Sequence, residues 1–374
     1  MEISIFKVQT EIYCGKNSLE KLREIKNKNV MIVTDSFMEK SGVVNEIINM
    51  LDSCNVLVFS KVLPDPDVEI ITQGVEKLIE SKAEIIIALG GGSPIDAAKA
   101  IRELSRNIIK TENVKLIAIP TTSGTGSEVT MFSVITDKTK SIKYPLVSER
   151  LLPDIAILSP ELVKSAPPKV TADTGMDVIT HALEAYVSIN ASDCSDALAE
   201  KALKIAFEYL PKAYKDGNDI EAREKMHNAS CMAGIALNSS SLGLNHGIAH
   251  ALGGKFHIPH GRANAVLLPV IIEYNSDFNE CSKAAIKYYN IARMLNIQAY
   301  NVHMGVKNLI LEIKQMQKQM GIPSSLKEMG IDLGLIESCK EELAEKALMD
   351  MCTATNPKVP TREDIIKIID KILQ

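Results

Sequence analysis

The hydrophobic pattern of this chain changes period near Pro168. Before it, short β-branched runs alternate with helical segments. After it, apolar residues recur at helical spacing almost without interruption. Residues 30–34, 56–59, 84–89 and 115–119 read as buried strands bounded by polar or Gly/Pro punctuation. Residues 37–51, 68–81 and 94–104 read as the helices between them, and residues 1–13 as strand. This alternation predicts a parallel sheet with helices on both faces. A further β-rich piece spans 132–136 and 142–145, and Pro153, Pro160, Pro167 and Pro168 mark the transition. Residues 172–188, 195–214, 221–237, 282–295, 302–320 and 362–373 then predict helices. The expectation is an α/β domain over residues 1–168 and an all-α domain over 169–374, with the functional cleft between them.

At 374 residues, two or three domains are expected. Hydrophobic residues make up 46% and charged residues 24%, a balance that fits a water-soluble globular chain. Trp is absent and aromatics amount to 4%, so the core must be aliphatic. A net charge of −5 with no basic run argues against a nucleic-acid partner. No apolar run reaches the roughly 18 residues that mark a membrane span. Met1-Glu2-Ile3-Ser4 lacks the basic and apolar regions of a secretion signal. Cys14, Cys54, Cys194, Cys231, Cys281, Cys339 and Cys352 form no CxxC pair and read as reduced thiols of a cytoplasmic protein.

Leu89-Gly90-Gly91-Gly92-Ser93-Pro94-Ile95-Asp96 follows an apolar strand and opens a helix. Glycines at such a turn let backbone N–H groups approach a pyrophosphate, and the helix N-terminus adds partial positive charge. The run departs from the GxGxxG fingerprint and follows a later strand than the first; alone it also suits a plain strand–helix turn. Thr34-Asp35 ends the 30–34 strand. An acid there can bond an adenosine ribose and disfavour a 2′-phosphate, or simply cap the next helix. Pro120-Thr121-Thr122-Ser123-Gly124-Thr125-Gly126-Ser127-Glu128 is a second hydroxyl- and glycine-rich turn after a strand. Together the loops favour a dinucleotide. The candidate cofactor set is Asp35, Gly90, Gly91, Gly92, Ser93, Asp96, Thr121, Thr122, Ser123, Thr125 and Lys143.

The chain has seven histidines, five of them in two short stretches. Asp177 and His181 stand four residues apart on a predicted helix and share one face. His246 and His250 repeat that spacing, and His257 and His260 follow near a glycine-rich bend. A carboxylate with several imidazoles can hold a divalent transition ion and leave a position open for substrate. His227 and His303 lie outside this cluster and read as structural.

These motifs, with Gly90 to Lys99, Gly175 to Tyr186, His246 to Gly261 and Cys352-Thr353-Ala354-Thr355-Asn356-Pro357, resemble the iron-containing (group III) alcohol dehydrogenases over essentially the whole chain. The resemblance implies a Rossmann-like dinucleotide-binding domain followed by an all-α metal-binding domain of the dehydroquinate synthase-like superfamily. It places the metal ligands on Asp177, His181, His246 and His260, and puts His250 beside the substrate as part of the proton route. His257 is not a general ligand of the family. The aligned pocket positions are Phe132, Leu237, Phe256 and Cys352, whose apolar character fits a short alkyl aldehyde.

Within the family, residues 243–261 are most similar to short-chain aldehyde reductases, the 1-propanol dehydrogenases of diol utilisation and the ethanol dehydrogenase of ethanolamine utilisation. The implied reaction is hydride transfer from NADH to propanal or acetaldehyde, with Fe2+ as the metal; the donor set accepts Zn2+ as well. Diol or butanol dehydrogenases of the same family are the alternative. Lyases resembling dehydroquinate synthase, and glycerol dehydrogenase-like zinc enzymes, differ in ligand pattern. The resemblance also implies a homodimer or larger homo-oligomer, and kinship with microcompartment enzymes.

Overall fold

A computed structural model describes residues 5–109, 114–137, 142–277 and 282–373. The chain divides into two compact units. One comprises Val8–Ala166 with Asn218–Gly234; the other comprises Met1–Lys7, Pro167–Gly217 and Ile235–Gln374.

The α/β unit runs β1 (Glu11–Cys14), β2 (Asn29–Asp35), α1 (Ser36–Lys40), α2 (Val43–Met50), β3 (Asn55–Val62), α3 (Val68–Ser81), β4 (Ile85–Gly90), α4 (Gly92–Ile109), β5 (Lys115–Pro120), β6 (Phe132–Asp137), β7 (Ile142–Val147) and β8 (Ile155–Leu158). Its sheet has the order β1-β8-β5-β4-β2-β3, with every pairing parallel, while β6 and β7 form an antiparallel pair. Strand periodicity sorts the side chains into two cores. Met31, Val33, Ile86, Ala88, Leu116 and Ala118 join Ile71, Val75, Leu78 and Ile101 of α3 and α4. Val30, Ile32, Ile85, Ile87, Leu89 and Ile117 join Val44 and Ile47 of α2 on the other face. Covering on both faces explains why β4 is buried at every position and reads as a continuous apolar run.

The strand order reverses direction between β2 and β4. β2 leads outward to β3, whereas β4 leads the opposite way to β5. Asp35 and the Gly90-Gly91-Gly92 turn therefore stand at the carboxyl ends of the two strands that flank a topological switch point, the usual ligand crevice of such sheets.

Sequence and structure differ at several places. Residues 37–51 form two helices, because Gly42 adopts φ 87° between α1 and α2. Of residues 1–13, a strand begins only at Glu11, and residues 1–4 lie outside the described residues. Its partner β8 was not anticipated: at four residues, with Pro153 just before it, the run is too short to register as periodic.

The helical unit is built from α5 (Pro168–Val187), α6 (Asp193–Lys215), α7 (Ile220–Ser240), α8 (Leu244–Phe256), α9 (His260–Ser276), α10 (Lys283–Met294), α11 (Val302–Gln319), α12 (Leu333–Met349) and α13 (Arg362–Lys371). The first part of α7, through Gly234, groups with the α/β unit. α5 packs on α6 and α9, and α8 packs on α9 and α12. Ile248, Leu252, Leu267, Ile271, Ile336, Leu343, Ile365 and Ile369 form the aliphatic core of α8, α9, α12 and α13. α8, α9 and α12 escaped the sequence pattern. α8 carries Gly247, Gly253 and Gly254 and is buried along most of its length, so it lacks a polar stripe. No described helix is long and apolar enough to cross a membrane. Cys14, Cys54, Cys194, Cys231, Cys339 and Cys352 are free thiols, and Cys281 lies outside the described residues.

A buried cation ties α4 to the β6–β7 hairpin. Lys99 is fully buried, and its Nζ donates to Ser127 Oγ (2.9 Å), Thr130 O (2.8 Å), Thr130 Oγ1 (3.3 Å) and Phe132 O (2.7 Å). Burial lowers its pKa to about 8 and raises that of neighbouring Glu128 to about 7. Lys99→Met removes the ammonium and leaves several oxygens without a donor. The expected cost is roughly 3 kcal/mol, seen as a lower urea midpoint at unchanged slope. A midpoint equal to wild type would show that these bonds do not hold the hairpin.

Candidate metal centre and nucleotide loops

α5 presents Asp173, Asp177, His181 and Glu184 along one face. Asp177, His181 and His246 are buried, and His260, the first residue of α9, is exposed. One donor atom from each of Asp177, His181, His246 and His260 lies within 4.8 Å of all the others. Asp177 Oδ1 is 3.6 Å from His260 Nε2 and 3.8 Å from His246 Nε2, and Oδ2 is 3.9 Å from His181 Nε2. Metal–ligand bonds of about 2.1 Å in tetrahedral array put donors about 3.4 Å apart, so one carboxylate and three imidazoles at these spacings fit a divalent transition ion.

The close approach of α9 to α5 makes this possible. A Cβ on Gly261 would stand 2.2 Å from Asp173 O, so only glycine lets the start of α9 sit against that carbonyl. Arg262 grips the Asp173 carboxylate through Nε and Nη2 at 3.0 Å, fixing the same junction.

Several residues that the sequence did not single out support the ligands. Glu184 Oε2 bonds His246 Nδ1, and Oε1 accepts the Asn245 N–H at 2.8 Å. With Nδ1–H donating to Glu184, His246 keeps its Nε2 lone pair for a metal. Burial pushes the Glu184 carboxyl up to about 8, so its ionised form depends on these donors. Burial also holds His246 well below its usual range, which keeps the ring neutral. Asn264 Nδ2 donates to Asp177 Oδ1 at 2.7 Å and stands 3.0 Å and 3.1 Å from His246 Nε2 and His260 Nε2. Its own Oδ1 accepts from Asn245 at 2.9 Å. Asn264 lies one helical turn after His260, the only local signal that could have found it.

His250 stays off the four-donor set. Its ring stacks on His260 with centroids 5.3 Å apart, and its Nδ1 bonds Asp350 Oδ2 at 2.8 Å. His257 is the exposed left-handed cap of α8 and joins neither group. Of the pocket candidates, Cys352 is a buried thiol near His250 and Asp350, and burial holds its pKa well above the usual range. Leu237 is buried on α7, and Phe256 packs partly buried on the helical core. Phe132 belongs to the α/β unit, at the start of β6.

In the α/β unit, Gly90 adopts φ 147°, and Thr121 N–H donates to its carbonyl at 2.9 Å. The two loops thus leave adjacent strands side by side, and a Cβ on Gly92 would meet Thr125 at 2.9 Å. Gly91, Gly92, Ser93, Thr122, Ser123 and Thr125 are partly exposed, and Thr121 is buried. Ser123 Oγ bonds His227 Nδ1 at 3.0 Å, and burial lowers His227 to about 4, so this neutral ring braces the loop. Asp35 Oδ1 accepts the N–H groups of Phe37 and Met38 at 2.8 Å and 2.9 Å, which makes Asp35 the cap of α1. Asp96 turns inward: its oxygens accept from Ser127 Oγ (2.6 Å) and Val134 N (3.0 Å). Lys143 pairs with Thr136 across the hairpin, and its side chain lies outside the described residues.

Comparison with known proteins agrees with this geometry. The model described as iron-containing alcohol dehydrogenase matches residues 9–160, and that described as the Fe-containing alcohol dehydrogenase family, C-terminal, matches residues 171–373. The chain is 42% identical to 1-propanol dehydrogenase PduQ of Citrobacter freundii, over 98% of this chain and 99% of that protein. It is 40% identical to NADPH-dependent butanol dehydrogenase of Clostridium saccharobutylicum, over 98% and 97% respectively. The iron-containing alcohol dehydrogenase structure from Thermococcus thioreducens superposes with a TM-score of 0.90 at 34% identity, covering 98% of this chain and 99% of that one. The chain belongs to the iron-containing alcohol dehydrogenase family. It is an alcohol dehydrogenase, an oxidoreductase of α/β plus all-α architecture.

Adding Fe2+ or Zn2+ should raise the melting temperature of the chelated protein. At free ion of about 100 times Kd the gain is roughly 2.7 kcal/mol. His246→Ala should remain folded by circular dichroism and lose the shift. Wild-type melting that ignores both ions would eliminate the site.

Proposed function

We propose that this chain reduces short-chain aldehydes, propanal and acetaldehyde foremost, to primary alcohols with NADH. The observation that carries the reading is the convergence of Asp177, His181, His246 and His260 with the His250–Asp350 pair beside them. The ligands are those four residues, and Fe2+ is the ion, with Zn2+ accepted by the same donors. The nucleotide set is Gly90, Gly91, Gly92, Ser93, Thr121, Thr122, Ser123 and Thr125, with Asp35 and Lys143, while Asp96 braces the second loop through Ser127 instead of meeting the ligand. The division of labour falls near residue 168, except that residues 218–234, with His227, group with the nucleotide side and residues 1–7 with the metal side.

When bound, the metal supplies Lewis-acid polarisation of the aldehyde oxygen and NADH supplies the hydride. The chain's own residues do the rest. Glu184 holds His246 in the ligating tautomer, and Asn264 holds the Asp177 carboxylate in place. His250, whose Nδ1 is held by Asp350, delivers the proton that completes the alcohol. Leu237, Phe256 and Cys352 provide apolar walls on the helical side that favour an alkyl chain over a polyol, and Phe132 is the apolar candidate of the α/β unit.

The Asp35 carboxylate at the end of β2 supports NADH over NADPH, because it would face a 2′-phosphate with like charge. The similarity to PduQ supports propanal as substrate, and a homo-oligomer housed in the cytoplasm or a microcompartment belongs to the same proposal. The butanol dehydrogenase relative favours a second reading, in which C4 aldehydes and NADPH are preferred.

The iron-loaded enzyme, kept anaerobic, should oxidise NADH in the presence of C2 to C4 aldehydes and be silenced by chelation. His250→Ala should lower kcat by roughly 100- to 1000-fold while retaining metal. Absence of turnover with every aldehyde in the panel would sink the proposal, and preference for NADPH would move it to the second reading.

A further inference from the structure

The residue that orients His250 comes from a different helix, 100 positions further along the chain. Asp350 directly follows α12, with φ −67° and ψ 133°, at the point where the backbone turns toward Cys352. Its side chain is largely sheltered, 19% exposed, and each oxygen has its own partner. Oδ2 lies 2.8 Å from His250 Nδ1, and Oδ1 accepts the Cys352 N–H at 2.9 Å. The His250 ring meets two more constraints. It stacks on His260 with an interplanar angle of 16°, and it meets His246 edge-on with centroids 5.8 Å apart. A ring held at Nδ1 by a carboxylate and flanked by two other rings has little rotational freedom left.

We infer that Asp350 is a positioning residue of the reductase reaction: it fixes the tautomer and rotation of His250 so that Nε2 is the atom presented to substrate, and it holds the Cys352 turn in register with that ring. An imidazole whose Nδ1–H is committed to a carboxylate can exchange protons only at Nε2, in either direction of the reaction. Without the carboxylate, the ring can flip and offer Nδ1, or rotate off the reacting oxygen. The second oxygen makes the arrangement reciprocal, because movement of the Cys352 turn shifts the carboxylate that aims the ring. Thr353, whose Oγ1 donates to Ala347 O at 2.6 Å, anchors the turn to the last residues of α12. This assignment rests on the proposed function for its chemistry, while the geometry it describes can be tested without turnover.

The test uses Asp350→Asn, Asp350→Glu, His250→Ala and the Asp350→Asn/His250→Ala pair in the metal-loaded enzyme. Asp350→Asn should lower kcat by roughly 100-fold with little change in KM, since the binding walls remain. Asp350→Glu should recover part of that loss, and the double variant should be no slower than His250→Ala, because both changes disable one unit. Nitrogen-15 spectra of the zinc-loaded protein give a readout free of catalysis. The His250 signals, assigned by their loss in His250→Ala, should show a protonated Nδ1 and a bare Nε2 in the wild type, and a mixture in Asp350→Asn. Additive losses in the double variant, or His250 signals unmoved by Asp350→Asn, would overturn the assignment. So would the loss of a bound metal equivalent in Asp350→Asn, which would make His250, Asp350 and Cys352 a second ion site instead. If the wild type reduces no aldehyde yet the spectra change as expected, the proposed substrate fails and the positioning stands.

Discussion

The helical unit depends on keeping ionisable donors out of water. Asp177, His181, His246 and Glu184 are all buried within it. A carboxylate removed from solvent loses several kcal/mol of hydration unless hydrogen bonds or an opposite charge replace it. The polar scaffold supplies much of that replacement. Asn264 serves Asp177, Asn245 and His246 serve Glu184, and Arg262 serves Asp173. A divalent cation held by Asp177 and the three imidazoles would complete the balance. This is the expected design of a centre in which metal affinity and local stability are one quantity.

The α/β unit applies a similar rule with an internal charge. Lys99 occupies the place where α4, the second glycine-rich loop and the hairpin meet, and its four acceptors come from the segment 127–132. Asp96, one helical turn earlier, binds the same Ser127 hydroxyl and the hairpin backbone. The run from Gly90 to Lys99 thus carries two functions in one stretch. Its first residues shape the turn at the carboxyl end of β4, and its last ones lock that turn to the next loop. This explains why Asp96 reads as a cofactor residue in the sequence while its carboxylate is engaged by the protein.

What could be read in the sequence followed from periodicity and local chemistry. The strands 30–34, 84–89 and 115–119 stand out because both faces of the sheet are covered, leaving unbroken aliphatic runs. Asp177 and His181 stand out because one helical turn separates them. α8 does not stand out, since its glycines suppress helix propensity and burial on most sides removes the polar stripe. Asp350 was invisible for another reason: its partner lies 100 residues away, and no local pattern marks an acid that will meet a particular imidazole. Glu184 lies inside the Gly175–Tyr186 motif, but its task emerges only when the start of α8 is brought against α5. The single helix expected over 37–51 failed at Gly42, where one positive φ outweighs an otherwise continuous apolar spacing.

Gly261 carries a consequence for metal choice. Because its backbone lies directly against the Asp173 carbonyl, the separation between α5 and α9 is a main-chain dimension rather than a side-chain one. Asp177 and His181 ride on one of these helices and His260 on the other, so this contact sets how closely the two helices can approach. A backbone limit of this kind does not tell apart ions of similar size. Selectivity among ions of similar size then passes from the protein to their supply in the cell.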